Sequence, residues 1–496
     1  MDKALAFFKQ FEYSKFNPLQ FNSVFFFALF SVFYLVYAGV FNKVKTRNTV
    51  LLLFSLFIYY KLSGLYVLLM MAVAASDFLI GKQILKTHSE GKKKAWLLLS
   101  LVVSLGSLLY FKYSPFILEN VDVLLGTKLT PPQGSFLMPI GISFYIFKTI
   151  SYVIDCYNEM IDEPEESYIN YLLYVSLFTT IIAGPIARAR DILPRLQAKL
   201  TVTEEFIGKG FFLILIGAVK KYLIADFLWV NFIERVFISP TLFSGFDNLM
   251  AVLMGTIQFY YDFAGYTDMM LGISLLLGLE LQGNFNRPFM AQNISDFWRR
   301  WHITLSSWLN EYVFMPMSFA WRGMKKTGIV MASLFTFVIS GVWHGPKFTY
   351  ILWGTLHGAA IAWDVASQNW RASLKKSING NVYSVVSIVL TFAFISLTMV
   401  IFNVREVPVA WDMYEMMFVK MDWSIALQWF PIYYREFIVF ALAALIHFLP
   451  LHLKDTMVQY FTQLYWPLKA VVGLVVILFI YQFYSSETQP FIYLQF

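Results

Sequence analysis

The sequence predicts an all-α, polytopic integral membrane protein with about eleven transmembrane helices, plus re-entrant or interfacial ones. Three observations carry that prediction. Charged residues make up only 14% of the 496-residue chain, against roughly 25% in a soluble protein. Hydrophobic residues reach 58%, including 51 Phe, 29 Tyr and 14 Trp. Long apolar stretches alternate with short basic loops. A soluble chain of this length would divide into about three domains, each needing a polar surface that this composition does not supply. The same arithmetic excludes a disordered scaffold, a coiled coil and a secreted disulfide protein. The single cysteine, Cys156, can form neither an internal disulfide nor a cysteine metal cluster, and reads as a small apolar filler. A net charge of +7 fits loops facing anionic lipid, so membrane lipids and not nucleic acid are the expected environment.

A window of about 19 residues marks apolar stretches at 21–41, 49–60, 62–81, 95–111, 136–156, 168–186, 206–230, 247–279, 327–343, 349–366, 384–403, 436–450 and 467–484. Several fall short of the roughly 20 residues that a crossing needs, and read as tilted, paired or re-entrant segments. Residues 1–484 form one embedded domain, without a clear internal repeat, and 485–496 form a tail. Lys3, Lys9, Glu12, Lys15 and Pro18 precede any long apolar run, which is unlike a cleavable signal peptide. Basic loops set the orientation. Lys43, Lys45 and Arg47 follow the first stretch, and Lys82, Lys86, Lys92, Lys93 and Lys94 follow the third. The same side collects Arg188 to Lys199, Arg322 to Lys326 and Arg371 to Lys376. With that side cytoplasmic, both termini are extracytoplasmic.

Few residues are left to carry chemistry. Of six histidines, His88 lies in a charged loop, and His447 and His452 lie near a cytoplasmic helix end; these three read as interface residues. The segment Asn293 to Pro316, NISDFWRRWHITLSSWLNEYVFMP, reads as an amphipathic helix. On it Arg299, His302, Ser306 and Asn310 form one polar stripe, beside an apolar face of Trp298, Trp301, Leu305 and Trp308. Such a helix suits the cytoplasmic interface, with His302 pointing into a cavity. In FVISGVWHGPKFTYILWGTLHG, His344 ends an apolar helix and is flanked by Gly341, Gly345 and Pro346, which break the helix inside a hairpin. An ionisable side chain within a membrane is costly and points to function. A neutral imidazole there can accept a proton, so His344 is the candidate general base for activating a hydroxyl. His357 lies about 20 Å further along an ideal helix and reads as structural or supporting. Asp262 and Asp268, in QFYYDFAGYTDMM, either pair with basic groups or line a proton or substrate path. Arg299, Ser306, Asn310, Trp343, Asp262 and Asp268 are the candidate lining of a substrate or donor channel. No metal is expected: there is no HExxH pair, no cysteine ligand and no carboxylate at zinc-ligand spacing. A proton-coupled transporter using Asp262, Asp268 and His344, or an assembly scaffold, are the alternatives from other classes.

IQFYYDFAGYTDMMLGISLLLGL, NFNRPFMAQNISDFWRRWHITLSSWLNEYVF, VISGVWHG and LWGTLHG resemble the membrane-bound O-acyltransferases, within them the branch that O-acetylates alginate. PIGISFYIFKTISYVIDCY (139–157) and IAGPIARARDILPRL (182–196) resemble the same branch, so the likeness covers most of the chain in order. It implies tilted helices around a central funnel in a bacterial cytoplasmic (inner) membrane, with His344 as catalytic histidine and His302 as the second histidine of the site. It implies no tightly bound cofactor. The co-substrate would be an acyl thioester, acetyl-CoA or an acylated carrier protein, whose acyl group passes to an extracytoplasmic partner resembling SGNH hydrolases and on to an exported polysaccharide. The ending PFIYLQF resembles a terminal aromatic-tyrosine motif of the branch, which implies that Tyr493 relays the acyl group. D-alanyl transfer to teichoic acid is the alternative within the family.

Overall fold

The computed structural model describes residues 10–14, 19, 21, 23–131 and 138–483; Tyr493 and the rest of the expected tail lie outside the described residues. All regular secondary structure among the described residues is helical. Among the described residues four helices are long and apolar enough to cross a membrane: Tyr66–Lys86, Glu90–Leu125, Arg322–His344 and Gly380–Asn403. A fifth candidate is the pair Trp423–Ile432 and Tyr434–Phe448, bent by 94°. The helices gather into two compact units, Met1–Thr203 with Ser274–Leu281, and Glu204–Ile273 with Gln282–Phe496.

The first unit is organised on Ile142–Tyr157, a helix buried on nearly every side. Its entry requires glycine: Gly141 has φ +75°, and a Cβ there would lie 2.4 Å from the Ile181 carbonyl oxygen. From its middle the Lys148 ammonium donates to the carbonyls of Tyr174 and Val175 and to Thr180 Oγ1, at 3.0, 3.3 and 2.5 Å. These bonds correct the expected apolar span 168–186. The helix there is only Tyr168–Ser176, because two of its last carbonyls turn to Lys148 and the buried chain beyond is irregular. Arg47, expected in an open basic loop, is instead fully buried and donates to the Leu196 and Ala198 carbonyls. Asp77, also buried, accepts from Ser100 and Ser104 at 2.7 and 2.8 Å. Each internal charge is thus met by oriented polar atoms, as burial demands.

The second unit is built on Gly245–Leu276, whose last three residues group with the first unit. At 32 residues it is about 48 Å long. It crosses Glu204–Ala218 and the π-helical turn Val219–Asp226 that continues it. At the crossing the backbones touch: a Cβ on Gly265 would lie 2.7 Å from the Gly217 carbonyl oxygen, and one on Gly272 would lie 2.5 Å from that of Gly210. Small residues at such a crossing allow the close van der Waals contact that holds helices together in lipid. Gly265→Leu is therefore expected to destabilise the fold by overpacking, by about 1–3 kcal/mol or more, read as a lower thermal midpoint of the purified protein. A wild-type midpoint would contradict the crossing.

Candidate active site

Both candidate catalytic histidines lie in the second unit, on separate chain segments. His344 is the last residue of Lys325–His344; Gly345 is extended, and the chain re-enters a helix at Phe348–Ala366. The two helices pack backbone against backbone: a Cβ on Gly341 would lie 2.3 Å from the Tyr350 carbonyl oxygen, and one on Gly354 2.3 Å from that of Phe337. This contact holds His344 at the tip of a tight hairpin, the break that the sequence predicts.

The segment 293–316 departs from the expected amphipathic helix. Ile294–Trp298 is one short helix, capped by the Asn293 side chain, and Ile303–Leu309 is another. Between them His302 adopts the left-handed conformation, φ 41° and ψ 54°. The reason lies in what must be buried. A continuous helix would place Arg299 and His302 on one face, yet Arg299 is exposed and His302 is fully buried. A left-handed residue costs of order 1–3 kcal/mol and persists only where its surroundings over-determine it. Here buried Asn284 supplies the anchor: its carbonyl accepts from Ile303 N at 2.9 Å, and its side chain accepts from Thr304 Oγ1 at 2.6 Å. The polar stripe is divided accordingly. Ser306 is half-buried and donates to the Trp301 carbonyl, whereas Asn310 is exposed at the start of a π-helical turn.

The two imidazoles come together through one indole. The Trp343 ring centroid lies 5.0 Å from that of His344 and 6.4 Å from that of His302. Phe263 meets the His302 ring edge-on at 4.8 Å. Around His344 stand Trp353 and Phe402, both edge-to-face at 5.1 Å, and Tyr350 at 6.3 Å. The arrangement is an aromatic chamber with two buried imidazoles, where a base can act on a hydroxyl without competition from bulk water.

Known proteins share this chain's pattern. Residues 164–404 match the membrane-bound O-acyltransferase family. A protein named a probable alginate O-acetylase, from Pseudomonas aeruginosa, is 34% identical over 413 residues, covering 82% of this chain and 76% of its own length. A peptidoglycan O-acetyltransferase of Helicobacter pylori is 31% identical, with coverage of 73% and 71%. A teichoic acid D-alanyltransferase of Bacillus subtilis is 30% identical, with coverage of 55% and 70%. The chain belongs to the membrane-bound O-acyltransferase family.

This O-acyltransferase is thus a multi-pass membrane enzyme, and the matched region carries both histidines of the chamber. The acyltransferase engages both Asp262 and Asp268 in ion pairs. Lys220 meets Asp268 at 2.5 Å, and buried Lys221 meets Asp262 at 2.5 Å and Asp226 at 2.8 Å. Phe263, the residue after Asp262 on the same helix, is the ring against His302. His357 is buried and hydrogen-bonded to Trp298 and Thr398. His447 departs from its expected interfacial place: it is buried, and its Nε2 accepts from the Phe289 amide. Among the described residues no group of three or more metal-ligating side chains converges.

Sequence reasoning missed Asn284, Phe402, Lys221 and Asp226. Asn284 carries a signal in hindsight, a polar residue between the apolar helix and the Trp-rich segment. Phe402 carries none, since one Phe among 51 is anonymous until the fold places it. The ion pairs give a prediction. Lys221→Met leaves two buried carboxylates without their cation and is expected to lower stability by about 3–5 kcal/mol, seen as loss of monodisperse protein. Restoration of folding in Lys221→Met/Asp226→Asn/Asp262→Asn would identify a structural pair. A fully stable Lys221→Met variant would refute it.

Proposed function

We propose that this protein is an O-acetyltransferase that takes an acetyl group from a cytoplasmic thioester, acetyl-CoA or an acetylated carrier protein. In this reading residues 1–484 act as one embedded domain of about eleven crossings, in a bacterial inner membrane, with both termini extracytoplasmic. The observation that carries the proposal is the pair His302 and His344 meeting through Trp343 in one aromatic chamber. His344 is the general base. It removes the proton of an acceptor hydroxyl as the oxygen attacks the thioester carbonyl; the C–S bond breaks, and the thiolate leaves with the proton returned by His344. His302 packs on the same indole, Trp343, as the second imidazole of the chamber. Arg299, Ser306 and Asn310 belong to the donor's approach. A short acyl group is favoured by crowding, since Trp343, Tyr350, Trp353 and Phe402 all stand within 6.3 Å of the His344 ring.

The final acceptor in this proposal is an exported cell-envelope polysaccharide, in line with the alginate and peptidoglycan acetylases among its relatives. Delivery uses an extracytoplasmic partner of the SGNH-hydrolase type, with Tyr493 as the covalent relay. The decisive experiment is turnover by purified protein in nanodiscs, offered acetyl-CoA, acetylated carrier and D-alanyl carrier in turn. His344→Ala is expected to lower kcat by about 10²–10⁴-fold while leaving expression unchanged. An unchanged kcat would remove His344 from the chemistry, and preference for the D-alanyl donor would redirect the assignment to teichoic acid. Tyr493→Phe keeps the ring and removes only the hydroxyl. Intact-mass spectrometry should show an acetyl adduct on the wild-type C-terminal peptide and none in the variant, and full acyl transfer by Tyr493→Phe would rule out the relay.

A further inference from the structure

His357 lies outside the chamber but is tied to it. It is buried, and its two ring nitrogens are engaged at opposite ends. Trp298 Nε1 donates to Nδ1 at 3.2 Å, which leaves the proton on Nε2; Nε2 then donates to Thr398 Oγ1 at 3.0 Å. The Thr398 hydroxyl in turn donates to the Phe394 or Ile395 carbonyl, each at 3.0 Å. Bonds at both ends of an imidazole fix its tautomer and the angle of its plane. The Trp353 ring packs on it, 4.6 Å away at 47°, and also meets the His344 ring edge-to-face at 5.1 Å and 89°. Trp298 also packs on Trp353, at 5.7 Å. A residue needed only to fill this volume would be apolar, since an imbedded imidazole is tolerable only with its partners in place.

We infer that His357 is a positioning residue for acyl transfer: held by Trp298 and Thr398, it fixes the Trp353 ring, and through that ring the orientation of His344. The inference rests on His344 as the base. His357 touches no reacting atom in this scheme; it reaches the His344 ring through Trp353, which packs on both imidazoles. Its effect is geometric: a displacement of the base by about 1 Å can lower a rate about 100-fold.

The test is full-length protein in nanodiscs, with acetyl-CoA and an acetylated carrier as donors, measuring kcat, donor KM and thermal midpoint. His357→Phe keeps a ring and removes both hydrogen bonds. It is expected to lower kcat about 10–100-fold with donor KM within about twofold. His357→Asn, whose Oδ1 can accept from Trp298 Nε1, should recover part of that loss. Trp298→Phe combined with His357→Phe should be no worse than the poorer single variant, the non-additivity of one network. If His357→Phe fails to fold, Thr398→Val decides, with a kcat loss of about 3–10-fold expected at wild-type thermal midpoint. Wild-type kcat in the deciding variant, or a loss matched by the loss of folded protein, overturns the inference. The underlying reading has its own control. Activity in His344→Ala defeats both, whereas an inactive His344→Ala with wild-type kcat in His357→Phe defeats the positioning role alone.

Discussion

The contact between Gly341 and Gly354, where two helices meet without side chains between them, is the constraint on which the second unit's chamber depends. Gly341 and Gly354 press against the carbonyls of the opposite helix, so the turn at 345–347 must be short and His344 must sit at its tip. Any Cβ at either position would part the helices and move His344 relative to Trp353 and Phe402. In lipid the hydrophobic effect gives no drive to bring helices together, and close packing of this kind takes its place.

His302 reaches the same chamber by a different route. It leaves the helical conformation, and the cost is offset by the Asn284 bonds to Ile303 and Thr304. One histidine is therefore placed by a glycine contact and the other by a polar anchor, and Trp343 connects them. Both devices are rigid, as a site that orients small reactants needs.

The internal charges follow a single rule. Lys148 faces three oxygens, Asp77 two hydroxyls, Arg47 two carbonyls, and Lys221 two carboxylates. The low charge content of the chain thus understates the role of its charges. Those inside are structural fasteners held by polar partners, whereas the imidazoles of the chamber are packed among aromatic rings.

Composition and apolar runs were sufficient to determine an all-helical membrane protein, since a chain with 14% charge cannot cover soluble domains. The motif around His344 was sufficient for the helix break, because Gly345 and Pro346 act locally. Family membership was legible too, in long runs that read the same without any structure. Tertiary structure alone decided the remainder. Helical spacing put His302 beside Arg299, but burying one and exposing the other required a left-handed turn, an outcome set by Asn284 from 18 residues away. Spacing likewise set His357 far from His344 along one helix. The hairpin brought both imidazoles against Trp353, because side-chain distance in a folded chain is decided by packing between segments and not by the count of residues between them.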